Sequence, residues 1–408
     1  MVSVVETVNA RTLLVISPLP THPQDEGANR RVFAMMEVLR EAGHDVHFAW
    51  LPQNRGDELA MRRYWGDRFH RLPYTDPTPA PTRLLQKVRS RLMRPHNYRI
   101  DAWYDPALDA AIARLRDTIR PGAVLVEYVY LSRALTLFGP HCLKLIDTHD
   151  VMTDRHARGI AQGQRPRWFS TTAGEEGKAL ARADLAIAIQ DRERSFLAGL
   201  GGCPVITVGH IAPVESRWRG LATLRESAPK LLYVGTNNAS NVQALTHFIT
   251  QSLPRLQARR PALQLHVAGK VCLALGAIDG VVLNGVVDDL APLYADAAVV
   301  INPVLFGTGL KIKNVEALSQ GCPLVTTATG AEGMEEGSGN AFVVAEAGSG
   351  FADAVLALLD DPARAEALAQ AGSALVRRMN MRSSAALLDA LALPAPERMT
   401  DVMMGRAQ

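Results

Sequence analysis

Two lysines and a glutamate, Lys311, Lys313 and Glu316, stand close together in the stretch FGTGLKIKNVEALSQGCPLVTT, Phe306 to Thr327, with Gly307, Gly309 and Gly321 around them. The preceding AVVINP predicts a buried strand, and KIKNVEALSQG predicts a helix ending at Gly321. Glycines without a Cβ let backbone amides approach a ligand, and a helix start offers unpaired N–H groups at the positive end of its dipole. A diphosphate placed there would also meet both ammonium groups. Each would attract it by on the order of 4 kcal/mol at about 4 Å and an effective dielectric of about 20, before desolvation is subtracted. Two lysines could in this way replace a divalent metal. Glu316 offers a carboxylate that accepts two hydrogen bonds, as the vicinal hydroxyls of a ribose would supply. A nucleoside diphosphate is the natural ligand of such a set; the alternative is that the lysines solvate a helix start and Glu316 complements its dipole.

The elements that must position these residues alternate between strand and helix. TLLVISPLP reads as an apolar strand, ANRRVFAMMEVLREAG as a helix stopped by Gly43, and DVHFAW as the next strand. AVLVEYVY, LKLIDTHD, ADLAIAIQ and PVITVGH continue the pattern as buried strands. A second start follows at PKLLYVGTNNASNVQALTHFITQ, succeeded by LQLHVAG, VVLNG, DLAPLYADA, AVVINP and PLVTTATG. The expected fold class is α/β, with two Rossmann-like doubly wound domains. The expected divisions are an amino-terminal domain over 1–212, a carboxyl-terminal domain over 213–385 and a helical tail over 386–408. Ligands of such sheets bind at the carboxyl ends of the strands, so two domains facing each other would form a central cleft.

Composition limits the function classes. The 408 residues carry 44 basic and 41 acidic side chains, a formal net charge of +3, which argues against a nucleic-acid polyelectrolyte and leaves any anion site local. Cys142, Cys203, Cys272 and Cys322 are widely separated, without a CxxC pair, suggesting neither a disulfide framework nor a zinc site. No secretory leader and no apolar run of about 18 residues is visible, so a cytoplasmic protein is expected. A nicotinamide dehydrogenase would need G-x-G-x-x-G after its first strand, where SPLPTHPQDEGANR stands instead.

The run G-T-G-x-K-x-K-x-x-E-A-L, followed by G-x-P-L-V-T-T, Gly330 and Glu332-Gly333, resembles the donor site of GT-B glycosyltransferases, specifically the large retaining group called family 4. The Gly27 loop with Asn-Arg-Arg, the IDTHD strand end, LLYVGTNNASNVQAL and NGVVDDLAPLYADAAVVINP agree in order, so the resemblance covers most of the chain. It implies a nucleotide-diphosphate sugar donor bound by Gly307, Thr308, Gly309, Leu310, Lys311, Lys313 and Glu316, without a cofactor or metal. It further implies that Gly27 lets the first loop approach the donor diphosphate or the acceptor, unless it is an ordinary turn glycine. Gly235 and Thr236 would open the phosphate side of the second domain, and Val286 and Val287 would lie near the base through their backbone. Asn237 and Asn241 are either polar neighbours of the donor or loop and cap residues, the cap being favoured for Asn241. The sequence departs from the family at Thr308, where the pattern usually has a second glutamate close to the donor sugar.

His149 and Asp150 end the strand KLIDTHD. The resemblance implies that His149 contacts the donor sugar, hydrogen-bonding a hydroxyl or the charge of an oxocarbenium-like transition state; otherwise it satisfies loop backbone groups. Glu127, ending VLVE, either orients the acceptor hydroxyl or acts as a base, or only pairs with Arg133 or Arg155. Asp150 is a further carboxylate base if the reaction inverts. The segment PTRLLQKVRSRLMRPHNYR carries Arg83, Lys87, Arg89, Arg91, Arg94 and Arg99 interleaved with Leu84, Leu85, Val88, Leu92 and Met93. It suits an anionic membrane surface, or is a solvated helix covering the core. The expected activity is transfer of a sugar to a glycan or lipid-linked acceptor in polysaccharide or glycoconjugate synthesis, by retention. A non-catalytic sugar-nucleotide-binding subunit and a GT-B epimerase are the alternatives.

Overall fold

The computed structural model describes residues 10–76, 80–224, 228–307 and 309–393, which leaves residues 1–9, Thr308 and most of the expected tail outside the described residues. The chain divides into two compact units, residues 1–209 with 382–408, and residues 210–381.

In the first unit, buried apolar runs form β1 (Thr12–Ser17), β2 (Asp45–Trp50), β3 (Phe69–Arg71), β4 (Ala123–Glu127), β5 (Leu143–Asp147), β6 (Leu185–Ala188) and β7 (Val205–Thr207). They make a parallel sheet in the order β3-β2-β1-β4-β5-β6-β7. Leu14 of β1 lies opposite His47 on one side and Val124 on the other. The strand order reverses between β1 and β4, and a ligand crevice of such a sheet opens at the carboxyl ends beside that reversal. The helix Gly27–Glu41 buries Val32, Met35, Met36 and Leu39 against the sheet. It ends where Gly43 takes φ +88° and Gly43 and His44 donate their amides to the Arg40 and Leu39 carbonyls, a Schellman closure that needs the left-handed residue.

The second unit repeats the plan with β8 (Lys230–Val234), β9 (Gln264–Ala268), β10 (Val281–Gly285), β11 (Val299–Asn302), β12 (Leu324–Thr326) and β13 (Val343–Val344). All pair in parallel, in the order β10-β9-β8-β11-β12-β13, with the reversal between β8 and β11. Its core gathers Leu231, Tyr233, Leu245, Phe248, Val267, Val299, Ile301 and Phe351. One helix runs from Pro362 to Ala392 and enters the range 386–408 expected as a helical tail. From Arg382 onward its residues belong to the first unit, whose core includes Leu387 and Leu391.

Candidate active site

In the second unit, the loops after β8 and β11 carry the residues of the lysine-glutamate stretch and their neighbours. The turn after β11 holds Gly307 at φ +115° and Gly309 at φ +84°, conformations that side chains rarely tolerate. The helix begins at Ile312 and ends at Ser319, with Gly321 at φ +76° and the Gly321 and Cys322 amides returned to Leu318 and Ala317. Lys311 precedes the first turn with φ −85° and ψ 88°, outside the helical region. Its Nζ donates to the carbonyls of Gly309 at 2.6 Å and Gly307 at 3.2 Å, and lies 3.8 Å from the Glu332 carboxylate. Buried Asn314 locks this helix in place. Its Oδ1 accepts from Asn302 Nδ2 at 2.8 Å, and its Nδ2 donates to the Gly330 carbonyl at 2.8 Å. A Cβ on Gly330 would lie 1.9 Å from Thr326 Oγ1, so that position accepts no side chain.

Lys313 points to the β8 side. Its Nζ donates to Tyr233 Oη at 3.0 Å and Asn241 Oδ1 at 2.8 Å, and lies 4.4 Å from the Tyr233 ring centroid. Burial, and then the neighbouring Lys311, pull its pKa down to about 7 against the opposing charge of Glu316. Asn241 also donates to the Thr236 carbonyl at 3.0 Å, so it bridges Thr236 to Lys313. The helix cap expected of Asn241 is supplied by Asn238, whose side chain accepts the Asn241 amide at 2.8 Å. Gly235 packs directly on Tyr233, since a Cβ there would come 2.8 Å from the ring. Ser240 Oγ donates to the Phe306 carbonyl at 2.8 Å, tying the two loops together. Glu316 lies beyond the first helical turn, which contains no acidic residue, so a dipole role has little support there. Its Oε1 is 4.0 Å from Nε2 of buried His210. Leu310 is buried, Asn237 and Val286 are exposed, and Val287 is partly exposed after β10.

In the first unit, the ends of β4 and β5 bring together Glu127, Asp147 and His149. Nε2 of His149 bonds the Glu127 carboxylate and lies 3.6 Å from Asp147 Oδ2. Arg31, on the helix that Gly27 begins, reaches Asp147 with Nε at 2.9 Å and Nη2 at 3.0 Å. Its Nη1 donates to the carbonyls of Val208 and Gly209 at 2.8 and 3.0 Å. This fully buried pair is bidentate and its spare donors are satisfied, the geometry in which a buried ion pair is tolerated. Burial pushes the Glu127 carboxyl above the usual range, opposed by His149 and reinforced by Asp147. Burial acts the same way on Asp147, but there Arg31 and His149 prevail and the carboxyl lies below the usual range. Two carboxyls displaced in opposite directions beside one imidazole suit a site that holds and moves a proton.

His149 takes φ +58° and Tyr128 φ +70°, and their rings stack with centroids 4.3 Å apart. Left-handed backbone at two non-glycine residues is a conformation the surroundings must enforce. Asp150 accepts from the Val151 amide at 3.0 Å and from Arg155 Nε at 3.3 Å. The pairing of Glu127 with Arg133 or Arg155 is thereby corrected: Arg133 bonds Asp109 and Arg155 bonds Asp150. Glu193, at the start of the helix after β6, is also buried, and burial followed by Asp150 pushes its carboxyl up to about 7. Gly27 is the first residue of its helix rather than a left-handed turn glycine.

Among the described residues, Glu127, Asp147 and His149 are the group whose ligand atoms lie within 4.8 Å of one another, close enough to share a metal ion. The fixed guanidinium of Arg31 on Asp147 is a poor neighbour for a divalent cation. Arg31, Asp147, Tyr128, Tyr233, Asn314, His210 and Glu193 were not singled out by sequence reasoning. Only Arg31 left a signal: four residues before Met35, it puts a charge among the apolar residues Val32, Met35, Met36 and Leu39 that the helix buries.

Residues 228–361 match the model of the family described as glycosyl transferases group 1. The sucrose-phosphate synthase of Thermosynechococcus elongatus superposes with a TM-score of 0.65 at 18% identity, over 98% of this chain and 100% of that one. The Anabaena protein HepE, solved with UDP and glucose, gives 0.62 at 13% identity over 92% and 99%. TarM of S. aureus, solved with Fondaparinux, alpha-GlcNAc-glycerol and UDP, gives 0.65 at 9% identity over 94% and 99%. Residues 228–361 thus carry a domain of the group 1 glycosyl transferases, and the two-sheet architecture of the chain is the GT-B fold of these solved structures. An uncharacterized 44.6 kDa protein of the cps region of Klebsiella pneumoniae is 27% identical over 118 residues, 26% of this chain and 30% of that protein's length.

Proposed function

We propose that the protein transfers a sugar from a nucleoside diphosphate sugar to a glycan or lipid-linked acceptor in cell-surface polysaccharide or glycoconjugate synthesis. The observation that carries this reading is the left-handed Gly307 and Gly309 turn delivering Lys311, Lys313 and Glu316 to the strand reversal of the group 1 domain. The UDP and sugars present in the similar structures, and the cps region of the relative, support the same substrate class.

In this reading Lys311 and Lys313 hold the leaving diphosphate without a divalent metal, and Glu316 accepts the ribose hydroxyls. Gly235, Thr236, Gly307 and Gly309 line the phosphates, and Val286 and Val287 lie beside the base. Glu127, His149 and Asp150 serve the acceptor hydroxyl and the sugar. The reaction retains anomeric configuration, with the leaving phosphate itself taking the acceptor proton. The protein works at the cytoplasmic side of an anionic membrane, which it contacts peripherally through residues 83–99. A thermal-shift screen of nucleotide sugars, followed by mass spectrometry of products formed with candidate acceptors, tests the reading. Donor-dependent stabilisation with a new glycosidic product supports it. Tight sugar-nucleotide binding with no transfer, or with epimerised donor, rejects it.

A further inference from the structure

We propose that the helix Ala80–Arg91 is a surface anchor that lays Leu84, Leu85, Val88 and Leu92 into the interface of an anionic lipid bilayer. The inference rests on the membrane-facing part of the proposed function and specifies the residues that make the contact. It starts from which side of the helix faces the protein. Leu84 is 65% exposed, Leu85 54%, Val88 44% and Leu92 59%, whereas the half-buried positions are polar Gln86, Arg89 and Ser90. At about 100° per residue the four apolar side chains fall within an arc of about 100°; Gln86 and Ser90 occupy the opposite side, and Arg89 lies between them and Leu85. Leu92 keeps the helical register, its amide bonding the Val88 carbonyl at 2.9 Å. The helix is therefore amphipathic in the reverse sense: its apolar stripe is turned to solvent, so it does not cover the core.

Charge selects the occupant of that stripe. Exposed Lys87 and Arg91 flank it on one side, exposed Arg94 follows, and the helix itself contains no acidic residue. Arg83 is engaged by Asp76 at 2.9 Å and Arg89 by His96 at 2.7 Å. An apolar stripe bordered by cations matches the acyl boundary and phosphate layer of anionic lipid. No described helix is long and apolar enough to cross a membrane, so the contact is peripheral.

The test is flotation of the full chain with vesicles of phosphatidylcholine alone or with added phosphatidylglycerol, at low and high salt. Binding should require phosphatidylglycerol and weaken with salt. Lys87→Gln with Arg91→Gln should weaken it on the order of 25-fold, about fivefold per basic residue. Leu85→Gln with Val88→Gln should abolish it while leaving the thermal midpoint unchanged, because both side chains are already exposed. Failure to bind anionic vesicles, equal binding to neutral ones, or wild-type binding by the leucine-valine variant overturns the proposal. Light scattering that reveals a dimer dissociated by the same variant also overturns it, since a second copy would then cover the face. The assay contains neither donor nor acceptor, so its failure leaves the transfer reaction standing.

Discussion

The Lys313 ammonium lies over the Tyr233 ring, 4.4 Å from its centroid and 3.0 Å from the phenolic oxygen, with Asn241 Oδ1 at 2.8 Å. None of these partners is an anion, and burial followed by the charge of Lys311 brings the pKa to about 7 from 10.5. Below about pH 7 the lysine is already charged. Above it the free protein holds a neutral amine, and a bound diphosphate would restore the proton. Nucleoside diphosphate binding near pH 8 should therefore take up a proton, and affinity should fall by up to about tenfold per pH unit above 7. Calorimetry with UDP in two buffers of different ionisation enthalpy measures the uptake; none at pH 8 would remove Lys313 from the phosphate site.

Glu316→Ala should weaken binding of the free nucleotide, because two charge-assisted hydrogen bonds to ribose would be lost at roughly 1.5 to 3 kcal/mol each. The same calorimetric titration decides it. Unchanged affinity would leave Glu316 as a companion of His210, 4.0 Å away.

Turnover should persist in excess chelator and fall sharply in Lys311→Ala. Lys311 presently spends its donors on the Gly307 and Gly309 carbonyls, so a diphosphate would replace those bonds. Activity lost in chelator and restored by magnesium would contradict the metal-free expectation.

Arg31→Met should cost about 3 to 5 kcal/mol in urea unfolding, since Asp147 would remain buried without its partner. The pH dependence follows from the lowered Asp147 pKa. Its contribution is complete above the ordinary carboxyl value of 3.8 and is lost as pH falls through the folded value. A variant as stable as the parent would mean that water reaches this site.

The product should retain the anomeric configuration of the donor, with His149→Ala lowering kcat more than donor affinity. An NMR spectrum of the anomeric proton and carbon distinguishes the outcomes. Inversion, with activity abolished by Glu127→Gln or Asp150→Asn, would assign the base role to a carboxylate.

Local pattern was enough to read the two α/β halves, because each long strand is an apolar run whose burial does not depend on its neighbours' identity. It missed β3 and β13, which are edge strands of three and two residues, too short to show a period. Gly307 and Gly309 were legible as a ligand turn because glycine permits a conformation that other residues resist. Partnerships across long sequence separations were not legible. Arg31 meets Asp147 across 116 residues and Lys313 meets Tyr233 across 80. Only the folded sheets bring these side chains together, and only there do burial and close charged neighbours displace the Glu127, Asp147 and Lys313 pKa values from their ordinary range. The basic segment shows the same division. Its residue types and spacing announced an amphipathic helix, and tertiary packing decided which face is turned outward, because facing is set by what the helix rests on rather than by its own period.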